Sequence, residues 1–380
     1  MTSVGMLSLA TYLPRGLRSN AWWGPSRTES AWRGGRTGTA RIRNVFDAAM
    51  HAYSDDPFFG SVERRVATLG ETSVTMGVRA ARQALAAAGI EASEVDALVS
   101  VSMFPDRVGA GDGGYLANEL GTAGGAFNIE ATCSGSLSAL LTACALVRSG
   151  IKKRVLVVAT SMLSRAIDAD DVAARLCGDA AAAFVVGEVD EGYGLLGAHT
   201  LHTGETCGTW LMDTVEDPSG TTAGGRRIRL RVDPTITHVL RHTAEPYLIR
   251  ASDGALRAAG ASRDDVAAFV VNTPTAWHAD FSARALGVTP DKVVDTFPHV
   301  ANIGPALMPF NAHTAASRGR ITTGDLVVLY TFGGQAEAGA AVFRWSTTAL
   351  APEPEPATVI DAGLPSPRAP TPPKQPRRHP

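Results

Sequence analysis

Hydrophobic positions along this chain follow two alternating patterns. Ala-rich stretches with apolar residues at helical spacing end on a glycine and a polar turn, then give way to short β-branched runs with no polar face. Residues 80–102 (AARQALAAAGIEASEVDALVSVS) show this succession, with Gly89 as the helix stop. Residues 251–273 (ASDGALRAAGASRDDVAAFVVNT) repeat it without a gap, with Gly260 in the same place. The offset is 171, and it also carries Val155–Thr160 onto Leu326–Thr331. One offset over so long a span predicts a duplicated architecture. Strands apolar on both sides predict sheets covered by helices on both faces.

The expected organisation is α/β, with an N-terminal half over residues 1–188, a C-terminal half over 189–347 and a tail over 348–380. From Leu350 onward, 31 residues hold ten of the 22 prolines, a composition that propagates neither helix nor sheet, so the tail reads as disordered. Met1–Ala10 lacks a basic start and a long apolar stretch and reads as a first strand rather than a secretory signal. No apolar run reaches the ~18 residues of a membrane span. A content of 45% hydrophobic and 19% charged residues is globular. The formal net charge of −2 gives no general attraction to nucleic acid or anionic membranes. Cys133, Cys144, Cys177 and Cys207 show no disulfide or metal-ligand spacing. These features describe a cytoplasmic enzyme in a reducing compartment.

Among the four thiols Cys133 stands out. In Asn128-Ile129-Glu130-Ala131-Thr132-Cys133-Ser134-Gly135-Ser136 a short strand breaks on small residues into an apolar helix. A sulfur at a helix N-terminus meets a partial positive charge that favours the nucleophilic thiolate. A small buried hydrophobe is the alternative.

The ordered motifs resemble the β-ketoacyl-acyl-carrier-protein synthase III family, of thiolase-like fold, from about residue 4 to 346. They are Tyr12-Leu13-Pro14, Gly60 to Val66 with Gly70-Glu71-Thr72, Ala131 to Gly135, Gly178-Asp179-Ala180-Ala181, Ala301-Asn302-Ile303-Gly304 through Pro309, and Phe332-Gly333-Gly334 with Gly339. The resemblance implies a duplicated αβαβα fold in which Cys133 accepts an acyl group. It implies that the backbone N–H groups of Cys133 and Gly334 stabilise the tetrahedral oxyanion. It implies no bound cofactor; the donor is a phosphopantetheine thioester of an acyl carrier protein, or coenzyme A. The expected partners are that carrier protein, a small-molecule acyl acceptor and a second copy in a homodimer.

Two departures alter the expectation. The family holds a histidine at the end of the second half's strand, paired with the asparagine about thirty residues later; here that position is Asn272, while Asn302 remains. An amide does not exchange a proton near neutral pH, which puts decarboxylative carbon–carbon bond formation in question. A different histidine, His278, follows in Thr273-Pro274-Thr275-Ala276-Trp277-His278, where Thr273 reads as an N-cap and Pro274 as the first helical residue. That string resembles synthase III homologues of natural-product pathways that pass a preformed acyl group, such as an aromatic or polyketide-derived one, to an alcohol, a sugar or another carrier. In such a reaction His278 deprotonates the acceptor hydroxyl. His299, His202 and His199 compete for that role. Trp32 and Arg36 match the spacing of the family's coenzyme A clamp, but the register of the next motif leaves residues 38–59 as an insertion or makes the match a coincidence. The cluster Arg27, Arg33, Arg36, Arg41 and Arg43 suits an acidic carrier protein or a plain basic loop.

The first expectation is therefore an acyltransferase using Cys133, His278 and Asn302. The alternative is a decarboxylating synthase that forms a carbon–carbon bond. A third reading, an inactive docking homologue, sits poorly with the retained thiol.

Overall fold

A computed structural model describes residues 2–24, 42–217, 226–334 and 337–360. Strands are numbered β1 to β16 along the chain, and most fall into two sheets of matching order. In the first, β15 (Ala349–Leu350), β1 (Val4–Tyr12), β7 (Asp179–Glu188), β6 (Val155–Met162), β4 (Ala97–Met103) and β5 (Gly125–Asn128) lie side by side. In the second the order is β8 (Gly194–His202), β14 (Glu337–Arg344), β13 (Leu326–Gly333), β11 (Val266–Val271) and β12 (Val293–Val294). Directions match as well: β4–β6 and β11–β13 are parallel, whereas β6–β7 and β13–β14 are antiparallel. The duplicated helices α2 (Ser73–Ala88) and α5 (Ile236–Ala259) end in the same left-handed cap, Gly89 at φ 64° and Gly260 at φ 66°.

The layers follow from which faces are apolar. Between the sheets lie α4 (Gly135–Arg148) and α7 (Leu307–Ser317). Leu140 and Ala143 from α4, with Met308 and Ala312 from α7, pack against Val99, Val157, Val270 and Leu329 in one core shared by both halves. Outside the first sheet lie α2 and α3 (Gly113–Leu120), seated through Met76, Leu85 and Leu116. Outside the second lie α5, α6 (His278–Leu286) and α1 (Val45–His51), joined by Leu248, Phe281 and Phe46. The resulting αβαβα stack is the thiolase-like architecture. No helix among the described residues is long and apolar enough to cross a membrane.

The segment after residue 347 departs from the expectation of a disordered tail. Ala349 and Leu350 pair in parallel with Ser8 and Leu9 of β1. Further on, β16 (Thr358–Val359) pairs with β2 (Gly16–Ser19), which in turn pairs with β3 (Glu63–Val66). Proline cannot donate to a ladder, but the paired residues fall on either side of Pro352, Pro354 and Pro356 and sit at sheet edges. Residues 361–380 lie outside the described residues.

Two glycines test this packing in opposite directions. A Cβ on Gly178 would meet the Val300 carbonyl oxygen at 2.6 Å and that of Arg65 at 3.2 Å, so Gly178→Ala should lower stability by about 1–3 kcal/mol. Gly114, in the first turn of α3, has nothing within 4 Å of its Cβ position, so Gly114→Ala should raise stability by about 0.5–1 kcal/mol. Urea unfolding midpoints measure both.

Candidate functional site

After β5 the chain enters a tight turn, Thr132–Ser134, that runs directly into α4. Thr132 there has φ 45°, a left-handed conformation that a β-branched residue rarely adopts. Cys133 is set at the mouth of the helix, partly open to a cavity and packed against the apolar cluster of Met103, Leu163 and Cys177. Burial pushes its thiol up to about 12, with a backbone N–H pulling the other way. The expected thiolate is therefore not the resting form: desolvation outweighs the helix end.

The cavity has a volume of about 650 Å3 and brings Cys133, His278, Asn302 and Gly334 together. Its walls are mainly apolar. Phe46 and Met50 of α1, Leu240 of α5, Met103, Leu176 and Cys177 all contribute to them. At the rim stands the hairpin of β9 (Trp210–Glu216) and β10 (Arg226–Val232). Its Arg229 pairs with Asp171 at 3.3 Å and its Arg231 with Asp213 at 2.5 Å, so the rim is charged but internally neutralised. A cleft of similar volume between Gly260, Asp264, Lys292 and Arg344 is polar and open, and it holds neither the thiol nor a histidine.

His278 is the first residue of α6, not a residue one turn inside it, and Trp277 rather than Thr273 occupies the cap position. The cause is packing. The Trp277 ring is drawn against Phe46 at 4.5 Å between centroids, so Thr275–His278 make a turn, closed by the His278 N–H to the Thr275 carbonyl at 3.1 Å. The imidazole is buried, and desolvation lowers its pKa to about 4, so it is neutral at physiological pH. Its Nδ1 lies 3.3 Å from Ser282 Oγ, which leaves Nε2 as the ring nitrogen for a ligand.

Asn302 Oδ1 accepts from the Gly304 N–H at 2.9 Å, leaving the Nδ2 donor for the cavity that the residue lines. Asn272 has a different task. Its Nδ2 donates to the Phe332 carbonyl at 2.9 Å and its Oδ1 accepts from the Phe332 N–H at 3.2 Å, so it continues the strand ladder of β11 through its side chain. Gly334 lines the cavity, but a Cβ on it would meet Trp210 at 2.8 Å. The backbone contact with the Cys133 turn is made by Gly333, whose Cβ would lie 2.7 Å from Ser134 Oγ and 2.9 Å from the Ala131 carbonyl oxygen.

The rival histidines fall elsewhere. The His299 side chain is 69% exposed, 3.5 Å from Glu63. His202 is exposed on β8, and His199 packs toward Gly254 on α5; neither lines the cavity. Trp32, Arg36, Arg27, Arg33 and Arg41 lie outside the described residues, while Arg43 precedes α1 and its N–H donates to Asp47 at 3.2 Å. Helix α1, with Phe46 and Met50, is an element that the sequence pattern does not announce. Its one signal is Asn44, whose Oδ1 accepts from the Asp47 N–H at 3.0 Å as an N-cap.

Comparison with known proteins places this geometry. The model of 3-oxoacyl-[acyl-carrier-protein] synthase III matches residues 127–204, and that of the synthase III C-terminal region matches residues 256–345. A β-ketoacyl-[acyl-carrier-protein] synthase III of Rhizobium rhizogenes is 33% identical over 298 residues, spanning 75% of this chain and 88% of the relative. Among solved structures, the synthase III of Thermus thermophilus superimposes with a TM-score of 0.74 at 26% identity, covering 90% of this chain and 99% of that one. The priming β-ketosynthase of the R1128 polyketide pathway gives a TM-score of 0.73 at 26% identity, covering 91% and 97%.

The His278 ring has a measurable consequence for stability. Its folded-state pKa of about 4 lies below the ~6.5 of an exposed imidazole. Between those values the unfolded chain binds a proton that the folded chain excludes. The contribution at this position therefore declines as pH drops through the window and levels off below it. Urea unfolding at pH 7 and about pH 4.5 should show a smaller acid loss for His278→Gln than for the wild type. Equal losses would show that the ring is not desolvated.

Proposed function

The chain belongs to the 3-oxoacyl-[acyl-carrier-protein] synthase III family, and on that premise we propose that it is a decarboxylating β-ketoacyl synthase working through an acyl-Cys133 intermediate. The observation that carries the reading is a cysteine, a neutral histidine and an asparagine lining one mainly apolar cavity, with the histidine supplied by α6 instead of the end of β11. The names of the relatives point to the same reaction.

In the first step the Cys133 sulfur attacks the carbonyl carbon of an acyl thioester on a phosphopantetheine arm. Because the thiol is held protonated, attack is coupled to loss of its proton to water in the cavity. The oxyanion is met by the N–H groups of Cys133 and Gly334. As it collapses, the C–S bond to the donor breaks, and the departing thiolate takes up a proton from solvent. The acyl group is then on Cys133.

In the second step a malonyl-type thioester on a carrier protein enters. With Ser282 donating to Nδ1, His278 Nε2–H and Asn302 Nδ2–H both donate to the thioester carbonyl oxygen. The bond to the carboxylate breaks, CO2 leaves, and its electron pair forms an enolate. The enolate carbon attacks the acyl-Cys133 carbonyl, a carbon–carbon bond forms, and the Cys133 thiolate departs and is reprotonated from solvent. A donor ring does not need a high pKa. A general base for a hydroxyl does, and a value near 4 makes His278 weak in that role.

Direct transfer of the acyl group to a hydroxyl, by way of the other His278 tautomer, is the second reading. What favours it is Asn272, whose amide is fully occupied by Phe332.

The two readings differ in carbon balance. Acyl-loaded enzyme given malonyl-carrier protein should release one CO2 per β-ketoacyl product, measured by radiolabel and intact-protein mass. Discharge of the acyl group to hydroxyl acceptors without CO2 would establish the second reading instead.

A further inference from the structure

We infer that Glu337 is a positioning residue for acylation of Cys133: its carboxylate ties the glycine end of the β13–β14 hairpin to the first turns of α4, and so holds the Gly334 and Cys133 amides in register. This rests on the reading that Cys133 is acylated, and on neither fate of the acyl group.

Glu337 opens β14 and is the register partner of Gly333, so it closes the hairpin on the strand opposite the one that leads to Gly334. Its Oε2 accepts from Ser138 Oγ at 2.8 Å and from Ser134 Oγ at 3.1 Å. Ser134 follows Cys133 directly, and Ser138 lies one helical turn later. Each serine has one hydroxyl proton: that of Ser134 is nearer the Ala131 carbonyl, at 2.6 Å, than Glu337, whereas that of Ser138 is nearer Glu337 than the Ser134 carbonyl, at 3.3 Å, so Ser138 is the firmer contact. The junction itself is tight: Gly333 lies in backbone contact with the turn, with only 2.8 Å between its Cβ position and Thr132 Oγ1.

The two oxyanion donors thus come from separate elements, the turn that leads into α4 and the β13–β14 hairpin, and Glu337 is a side chain that joins them by hydrogen bonds. A carboxylate near a developing oxyanion opposes it electrostatically, although it suits the positive end of a helix. Its use here is therefore geometric, which a charge-free isostere can reproduce. The amide introduced by Glu337→Gln would keep one oxygen acceptor for the serines and lose the charge.

Loss of an oxyanion donor lowers rates by ~10²–10³, so loosening one should cost about thirtyfold. Single-turnover acylation of Cys133 by an acyl-carrier protein, followed by intact mass, should be slowed about thirtyfold in Glu337→Ala with half-saturation changed less than about threefold. Glu337→Gln should acylate within about threefold of the wild type, and Ser138→Ala should be slowed several-fold. Wild-type rates in Glu337→Ala, or a Glu337→Gln as slow as the alanine variant, would overturn the inference. Should Glu337→Ala not fold, Ser138→Ala decides alone, and an unchanged rate in it overturns the inference. A wild-type enzyme that forms no Cys133 adduct overturns the acylation reading itself, and this inference with it.

Discussion

Two backbone hydrogen bonds to one residue hold the site together. The Asn302 N–H donates to the Leu176 carbonyl at 2.8 Å, and the Asn302 carbonyl accepts from the Gly178 N–H at 3.0 Å, so it bridges both sides of Cys177. This seam joins the halves where each presents its central turn: Cys133 from the first, Gly304 from the second. Arg64 braces it from behind. Its buried guanidinium donates to the Arg175 carbonyl at 2.8 Å, to Ser61 and to Asn20, and burial lowers its pKa to about 9. All these acceptors are neutral, so the cation is held by geometry rather than by a counter-charge. Everything the cavity does depends on Asn302 being fixed there through its main chain, which leaves its side-chain donor for chemistry.

Backbone strain gathers around the same cavity. Among the described residues four non-glycine positions have positive φ: Phe59, Phe104, Thr132 and Ala301. Phe59 and Thr132 line the cavity, Phe104 follows the lining residue Met103, and Ala301 precedes Asn302. Each such conformation costs of order 1–3 kcal/mol and persists only where its surroundings over-determine it. The surroundings here are the shared core between the sheets and the seam at Cys177. A rigid frame of this kind keeps donors aimed at one point in a low-dielectric space, where each hydrogen bond to a developing charge counts for more than in water.

Much of this is legible in the sequence, and for identifiable reasons. The offset of 171 residues holds end to end for β6 and β13, because buried strands admit only apolar residues and preserve their pattern. Cys133, His278, Asn302 and Gly334 do share a cavity. What sequence does not supply is environment. The helix end predicts a thiolate, but the apolar packing around Cys133 reverses the sign. The start of α6 falls later than its capping signals suggest because Trp277 docks against Phe46, a partner from the distant N-terminal half of the chain. Asn272 is a departure from the family pattern, yet only the structure shows its amide completing a ladder to Phe332 while a histidine enters from α6. On the reading proposed above, that histidine takes the part of the one missing from the end of β11.

The action of His278 on the extender unit, rather than on the loading of Cys133, is the central claim. Rapid-quench measurement of malonyl-carrier-protein decarboxylation in His278→Ala, alongside its acylation burst, separates the two. A loss of ~10²–10³-fold in decarboxylation with a Cys133 acylation burst that persists, reduced by less than about tenfold, is the predicted result. Decarboxylation at the wild-type rate in His278→Ala would contradict it.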